Sequence, residues 1–218
     1  MKKTTLALAM GLMISGAANA ALEANIGATS NYLWRGQSQS SDASVLSGGL
    51  DYSAESGVYA GVWASSLGST VGGEELDLYA GISGESAGVG YDLGIINYRY
   101  PSATDGDFTE VAASVSKDAF TAGVNYTFDA EASSAGTDGD IYYYVSASTE
   151  IMDGFSGALT VGRYNFDSSS TTTDWTHTQL DISKSVEGFA DITFSLSKAG
   201  SGSGDDELIP FVSLSKSF

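Results

Sequence analysis

Strict alternation of apolar and polar residues, repeated along the chain, constrains this sequence more than any other feature. In Phe120-Thr-Ala-Gly-Val-Asn-Tyr-Thr-Phe128, residues Phe120, Ala122, Val124, Tyr126 and Phe128 fall on one side, and Thr121, Gly123, Asn125 and Thr127 on the other. Leu76, Leu78, Ala80 and Ile82 alternate in the same way with Asp77, Tyr79, Gly81 and Ser83, as do Ile192, Phe194 and Leu196 with Asp191, Thr193 and Ser195. A period of two belongs to an extended strand whose two faces meet different surroundings. A helix would need apolar residues three and four apart. Twelve such segments can be read, centred on residues 22–34, 44–52, 58–66, 75–83, 89–100, 108–117, 120–129, 141–150, 155–164, 174–184, 189–198 and 208–218.

The connections alternate as well. Those after odd-numbered segments are long and rich in Gly, Ser, Asp and Thr: Gly36 to Ala43, Leu67 to Glu74, Pro101 to Asp107, Ala130 to Asp140, Asn165 to Thr173 and Ala199 to Glu207. Those after even-numbered segments are short, such as Ser53 to Gly57, Asp118-Ala119 and Val186 to Gly188. Short turns at one end and long loops at the other are the asymmetry of outer-membrane barrels, whose strands need about 9–11 residues to span. The first twenty residues read as an export signal: Lys2 and Lys3, an apolar run from Leu6 to Ile14, then Ala18-Asn-Ala20 as a small-x-small cleavage site. The expectation is a signal peptide over 1–20 and one domain over 21–218. That domain is an all-β, transmembrane, antiparallel up-and-down β-barrel of about twelve strands, with 10–14 as the range. Both termini would be periplasmic, and Phe218 would end the last strand as a signal to barrel-assembly machinery.

Composition removes several other functions. The formal net charge is −18, with 9 Lys and Arg against 27 Asp and Glu. Clustered cations for nucleic-acid phosphates are therefore lacking. There is no cysteine for a disulfide or thiolate metal site. His177, with Asp174, Asp181 and many serines, supplies the residue types of a hydrolytic triad, but His177 and Asp181 on one strand stand roughly 13 Å apart. The acidic loops, including Glu74-Glu75, Asp105-Gly-Asp107, Asp138-Gly-Asp140 and Asp205-Asp-Glu207, are of the kind that hold Ca²⁺ or Mg²⁺ against lipopolysaccharide phosphates. Asp-Gly pairs are also ordinary turn residues, and no complete twelve-residue calcium loop occurs. No enzyme, metal or cofactor is therefore assigned.

If the apolar face of each strand meets lipid, the opposite face lines a lumen. The acids expected there are Glu23, Asp51, Asp77, Asp92, Glu110, Asp129, Glu150, Asp181 and Asp191, against Arg35, Arg99 and Arg163. An acidic excess of that kind in a narrow bore concentrates cations. With strands roughly 4.8 Å apart and tilted by about 40°, twelve strands enclose a backbone diameter of about 24 Å, and side chains narrow the bore to about 10 Å or less. Arg35 is a candidate constriction residue. Trp34, Trp63 and Trp175, near segment ends, are candidate membrane-interface anchors.

The segments Ser30-Asn-Tyr-Leu-Trp-Arg-Gly-Gln-Ser-Gln39, Gly48-Gly-Leu-Asp-Tyr52 and Gly57-Val-Tyr-Ala-Gly-Val-Trp-Ala-Ser65 resemble the start of the TorF porin family of proteobacterial outer membranes. Gly61-Val62-Trp63 is similar to that family's Gly-Cys-Trp element, with valine in the cysteine place, and the Ser215-Lys-Ser-Phe218 end matches as well. The resemblance implies a barrel and a porin role, and brings no catalytic residue. The expected function is passive diffusion of small hydrophilic solutes, cation-preferring, through a barrel set among outer-membrane lipid and lipopolysaccharide. The alternative is a non-conducting structural or interaction barrel.

Overall fold

The computed structural model describes residues 21–67, 73–132, 137–152, 154–167 and 173–218. The expected signal peptide lies outside these residues. Twelve strands form a closed antiparallel barrel: β1 (Ala21–Thr29), β4 (Val45–Ser53), β5 (Val58–Ser66), β6 (Glu74–Ser86), β7 (Val89–Arg99), β8 (Phe108–Lys117), β9 (Phe120–Ala130), β10 (Ile141–Met152), β11 (Phe155–Asn165), β12 (Trp175–Val186), β13 (Ala190–Ala199) and β14 (Leu208–Ser217). Two short strands, β2 (Leu33–Trp34) and β3 (Gln37–Ser38), form a separate hairpin. Each barrel strand pairs with its sequence neighbour in the barrel, and β1 closes the ring by pairing with β14 as well as β4. Ala28 thus stands opposite Leu214 on one side and Leu46 on the other. Closure leaves no unpaired sheet edge, the condition under which strands can cross hydrocarbon.

The alternation assigns the faces as expected. Leu46, Leu93, Val115, Phe120, Val145, Leu159, Phe194 and Leu208 are exposed on the outer surface. Tyr59, Tyr79, Tyr98, Tyr142, Tyr164 and Phe211 are buried inside. Apolar side chains of this size with no protein over them form the lipid-facing belt of a transmembrane barrel. The tight turns stay at one end; between β6 and β7, Ala87 and Gly88 both take positive φ, the geometry of a two-residue hairpin turn.

The first segment departs from expectation. Instead of one strand over 22–34, β1 stops at Thr29, and the chain turns inward to build β2 and β3. The pattern breaks at Ser30-Asn31, where the Asn31 side chain ties the base of the hairpin. Its amide donates to Asp42 at 2.7 Å, and its carbonyl accepts the Ser38 and Ser40 hydroxyls at 2.7 and 3.1 Å. The Tyr32 N–H donates to Ser40 Oγ at 3.0 Å.

Candidate functional site: a hairpin folded into an acidic lumen

The hairpin turns at Arg35-Gly36, with φ of 51° and 88°. Left-handed φ at both central residues is the preferred two-residue hairpin geometry, which glycine adopts freely and arginine does not. The strain at Arg35, of order 1–3 kcal/mol, is held by contacts on every side. Its guanidinium donates two hydrogen bonds to Glu110 on β8, at 2.8 and 2.5 Å, both partners being buried. It also lies over the rings of Trp34, Tyr142 and Tyr164, at 4.2, 4.4 and 5.3 Å from their centroids. Its carbonyl accepts the Trp175 indole N–H at 2.9 Å. Burial alone would lower the pKa of this guanidinium, but the Glu110 carboxylate more than offsets it, so Arg35 stays charged.

Other parts of the hairpin reach other walls. Trp34 packs on Tyr98, Phe108 and Tyr164. Tyr32 packs on Trp63, with 5.8 Å between ring centroids. A side chain at Gly36 would collide with His177, whose Cβ lies 2.6 Å from where the new carbon would stand, so the turn is pressed against β12. Gln37 donates to the Ser203 carbonyl at 2.6 Å and the Ser38 N–H to Asp205 at 2.8 Å, both in the β13–β14 connection. The hairpin therefore crosses the lumen at its long-loop end, the extracellular end in barrels of this kind.

Below it, carboxylates line the wall. Asp51 is held by the Tyr79 hydroxyl and by Asn25 at 3.0 Å, Asp92 by the Tyr59 hydroxyl at 3.0 Å. Asp181 accepts Gln179 and Ser195, and Asp191, near the short-turn end, accepts the Ser185 hydroxyl. Glu110 accepts Asn125 and Thr127 besides Arg35. Asp77 is inward and buried, and so is Glu75, the first residue of the 75–83 segment, which the sequence also groups with the acidic loops. Exposure grows toward the short-turn end, where Glu23 and Glu150 are exposed.

Three lumen expectations and three anchor expectations are corrected. Asp129 is exposed and stands opposite Thr109, which bonds the outward-facing Asn97; the bulge at Thr109–Glu110 has shifted its parity. Arg99 shares its face with Tyr91, Leu93 and Ile95 and stands opposite Leu76; it points outward and pairs with Asp107 at 3.5 Å. Arg163 shares its face with Leu159 and Val161, stands opposite exposed Tyr143, and pairs with Asp174 at 3.1 Å. Lys117, Lys184, Lys198 and Lys216 also carry the outward parity of their strands. Among the described residues Arg35 is then the one basic side chain inside the barrel. The same parity was readable in sequence: an arginine two residues from Val161 cannot share the face of Tyr164. Trp34 and Trp175, 5% and 3% exposed, belong to the aromatic cluster around the hairpin, and Trp63 faces inward onto Tyr32; none stands at the lipid. Trp175 is in step with His177 and Asp181, both buried, which is why it turns in.

His177 bonds the Tyr142 hydroxyl through Nε2 at 2.9 Å and stacks on that ring, while Asp181 is engaged elsewhere, so the two do not pair. The string Gly84-Glu-Ser-Ala-Gly88 has the Gly-x-Ser-x-Gly form of a hydrolase elbow. It is the end of β6 and the tight turn to β7, with no helix behind it, and so lacks the strand-turn-helix setting of that motif. Among the described residues no group of three or more His, Asp and Glu is placed to hold a metal.

A closed twelve-strand barrel with an apolar outer belt and a polar interior is the fold of outer-membrane porins. Solved structures agree in fold: a KdgM porin (TM-score 0.59, 4% identity, 90% of this chain and 98% of that one), a NanC porin (0.57, 8%, 89% and 98%) and the outer membrane channel COG4313 of Pseudomonas putida F1 (0.55, 10%, 92% and 96%). A second KdgM structure, similar at TM-score 0.58, is in complex with disordered oligogalacturonate. The chain belongs to the Gcw_chp family, described as bacterial proteins of unknown function, whose model matches residues 14–202. No curated protein matches it.

Proposed function

We propose that the protein is an outer-membrane channel for passive diffusion of small hydrophilic solutes, with a preference for cations. The observation that carries this reading is the charge of the lumen. Glu75, Asp77, Asp92, Asp51, Asp181 and Glu110 line it, against a single arginine already committed to Glu110. Leaving a carboxylate in a dry interior without a counter-charge costs several kcal/mol, so an interior of this composition is stable when hydrated and supplied with cations. Water and small cations entering from the short-turn end meet half-exposed Asp51 and Asp92 before they meet the hairpin. The fold shared with porins supports the class of function. The choice of cations rests on the lumen alone, and the TorF resemblance is compatible with both.

The hairpin favours a second reading, a non-conducting barrel, because it fills the long-loop end of the bore. One experiment separates them. Purified protein in planar bilayers is expected to show discrete conductance, and in a salt gradient a reversal potential of the sign for cation preference. Silence at all voltages would establish the closed barrel, and anion preference would overturn the role of the carboxylates.

A further inference from the structure

We propose that Asp77, together with Glu75, holds a small bare inorganic cation of about the size of Na⁺ in the wall of the lumen beside the hairpin. The inference deepens the cation route proposed above and rests on that reading for its role in permeation, though not for binding itself.

Glu75 and Asp77 are two residues apart on β6, on its inward face, and are 2% and 5% exposed. Glu75 Oε1 accepts the Tyr100 hydroxyl at 3.2 Å, and the Glu75 carboxylate also accepts the Tyr32 hydroxyl. Glu75 Oε2 and Asp77 Oδ1 are shielded from water and have no donor among the described residues. Asp181 and Glu110 are served differently, the first by Gln179 and Ser195 and the second by Arg35, Asn125 and Thr127. Asp92 Oδ2 also lacks a donor, but Asp92 stands alone, is only half-buried and takes the Tyr59 hydroxyl on its other oxygen. The groups facing the Glu75–Asp77 pair are Tyr32, Tyr79, Tyr98, Tyr100 and Glu110, which bring hydroxyls and further negative charge but no cation. The nearest guanidinium, Arg35, is spent on Glu110 through two hydrogen bonds.

Two carboxylates this deeply buried, two residues apart on one face and with unclaimed oxygens, are stable only when their charge is compensated, by a bound proton or, as proposed, by a cation. Both oxygens have almost no exposed surface, so an ion that reaches them gives up most of its hydration shell. The donor set is too sparse for a calcium cage, which takes six to eight oxygens, roughly. Two carboxylate oxygens with tyrosine hydroxyls nearby suit an alkali cation held firmly enough to enter and loosely enough to leave, as conduction requires.

The test is thermal unfolding of the full-length barrel in detergent, followed by circular dichroism in NaCl and in choline chloride at equal ionic strength. Choline is too large for the site. The wild type is expected to melt several degrees higher in NaCl, and Asp77→Asn is expected to abolish that difference. Asp181→Asn, which alters a carboxylate that has its own donors, should keep it. Should Asp77→Asn not fold, Glu75→Gln carries the same expectation. Equal melting of the wild type in both salts, as when a shared proton replaces the cation, would overturn the site, as would an unchanged difference in the variant that folds. Bilayer recordings then separate the two levels. A sodium-specific shift in a barrel that never conducts keeps the site and removes the channel. Conductance without the shift removes the site alone.

Discussion

At the scale of single residues, most of the lumenal carboxylates are compensated by protein groups, in two ways. Glu110 is matched by a full positive charge, whereas Asp51, Asp92 and Asp181 are met by hydroxyls and amides. The two halves of the Arg35–Glu110 pair are unequal in what they leave behind. Without Arg35, Glu110 keeps Asn125 and Thr127 as donors. Without Glu110, the guanidinium is left against aromatic faces, each worth only about 0.5–2 kcal/mol to a cation. Glu110→Ala should therefore destabilise the folded-in hairpin by about 3–5 kcal/mol, the usual result of orphaning a buried charge. Arg35→Met should cost less. The order is measurable as single-channel conductance, with Glu110→Ala the more open of the two; the reverse order would show that the hairpin is held mainly by its aromatic packing.

At the scale of elements, tyrosines lie across glycines on neighbouring strands. Tyr79 of β6 covers Gly61 of β5 and reaches Asp51 of β4; Tyr59 of β5 covers Gly81 and Gly94 and reaches Asp92 of β7. A β-carbon at Gly61 would overlap the Tyr79 ring. This gives the Gly61-Val62-Trp63 element a physical meaning: its glycine makes room for a lumenal tyrosine, its tryptophan supports Tyr32 of the hairpin, and its middle residue faces outward. Gly61→Ala is expected to lower stability by about 1–3 kcal/mol in denaturant unfolding, the range for overpacking a filled interior. Val62→Cys should unfold like the wild type and react with a lipid-soluble maleimide, because nothing inside the barrel touches that position. A thiol protected in folded protein would contradict the outward assignment.

At the scale of the molecule, a wall closed by continuous strand pairing is joined to a hairpin held by side chains, and the two have separate stabilities. Replacing residues 33–38 by a short glycine linker should leave the barrel folded and raise its unit conductance, since the outer mouth would lose Trp34 and Arg35. Circular dichroism and bilayer recordings on the same preparation check both halves of that expectation. Unchanged conductance would mean that the hairpin lies off the solute path.

What the sequence alone determined was the wall. Alternation over twelve segments, turns at one end and loops at the other specify strand number, orientation and facing, because each strand meets lipid on one side and water on the other along its whole length. The facing of Arg99 and Arg163 is legible from the parity of their own strands, whereas that of Asp129 is not, because a bulge opposite it shifts the register. Only the tertiary structure decided where the first long connection goes. Its eventual partners Glu110, Tyr142, Tyr164, Trp175 and His177 are spread over four strands and come together only when the barrel closes. The same holds for Glu75, which in sequence stands on the boundary between an acidic loop and the 75–83 segment and is placed inward by a β6 that begins at Glu74. Local periodicity records the solvent on each face of a strand. It carries no record of what a loop meets after the ring has shut, and the Arg35–Glu110 pairing inside the barrel is set there.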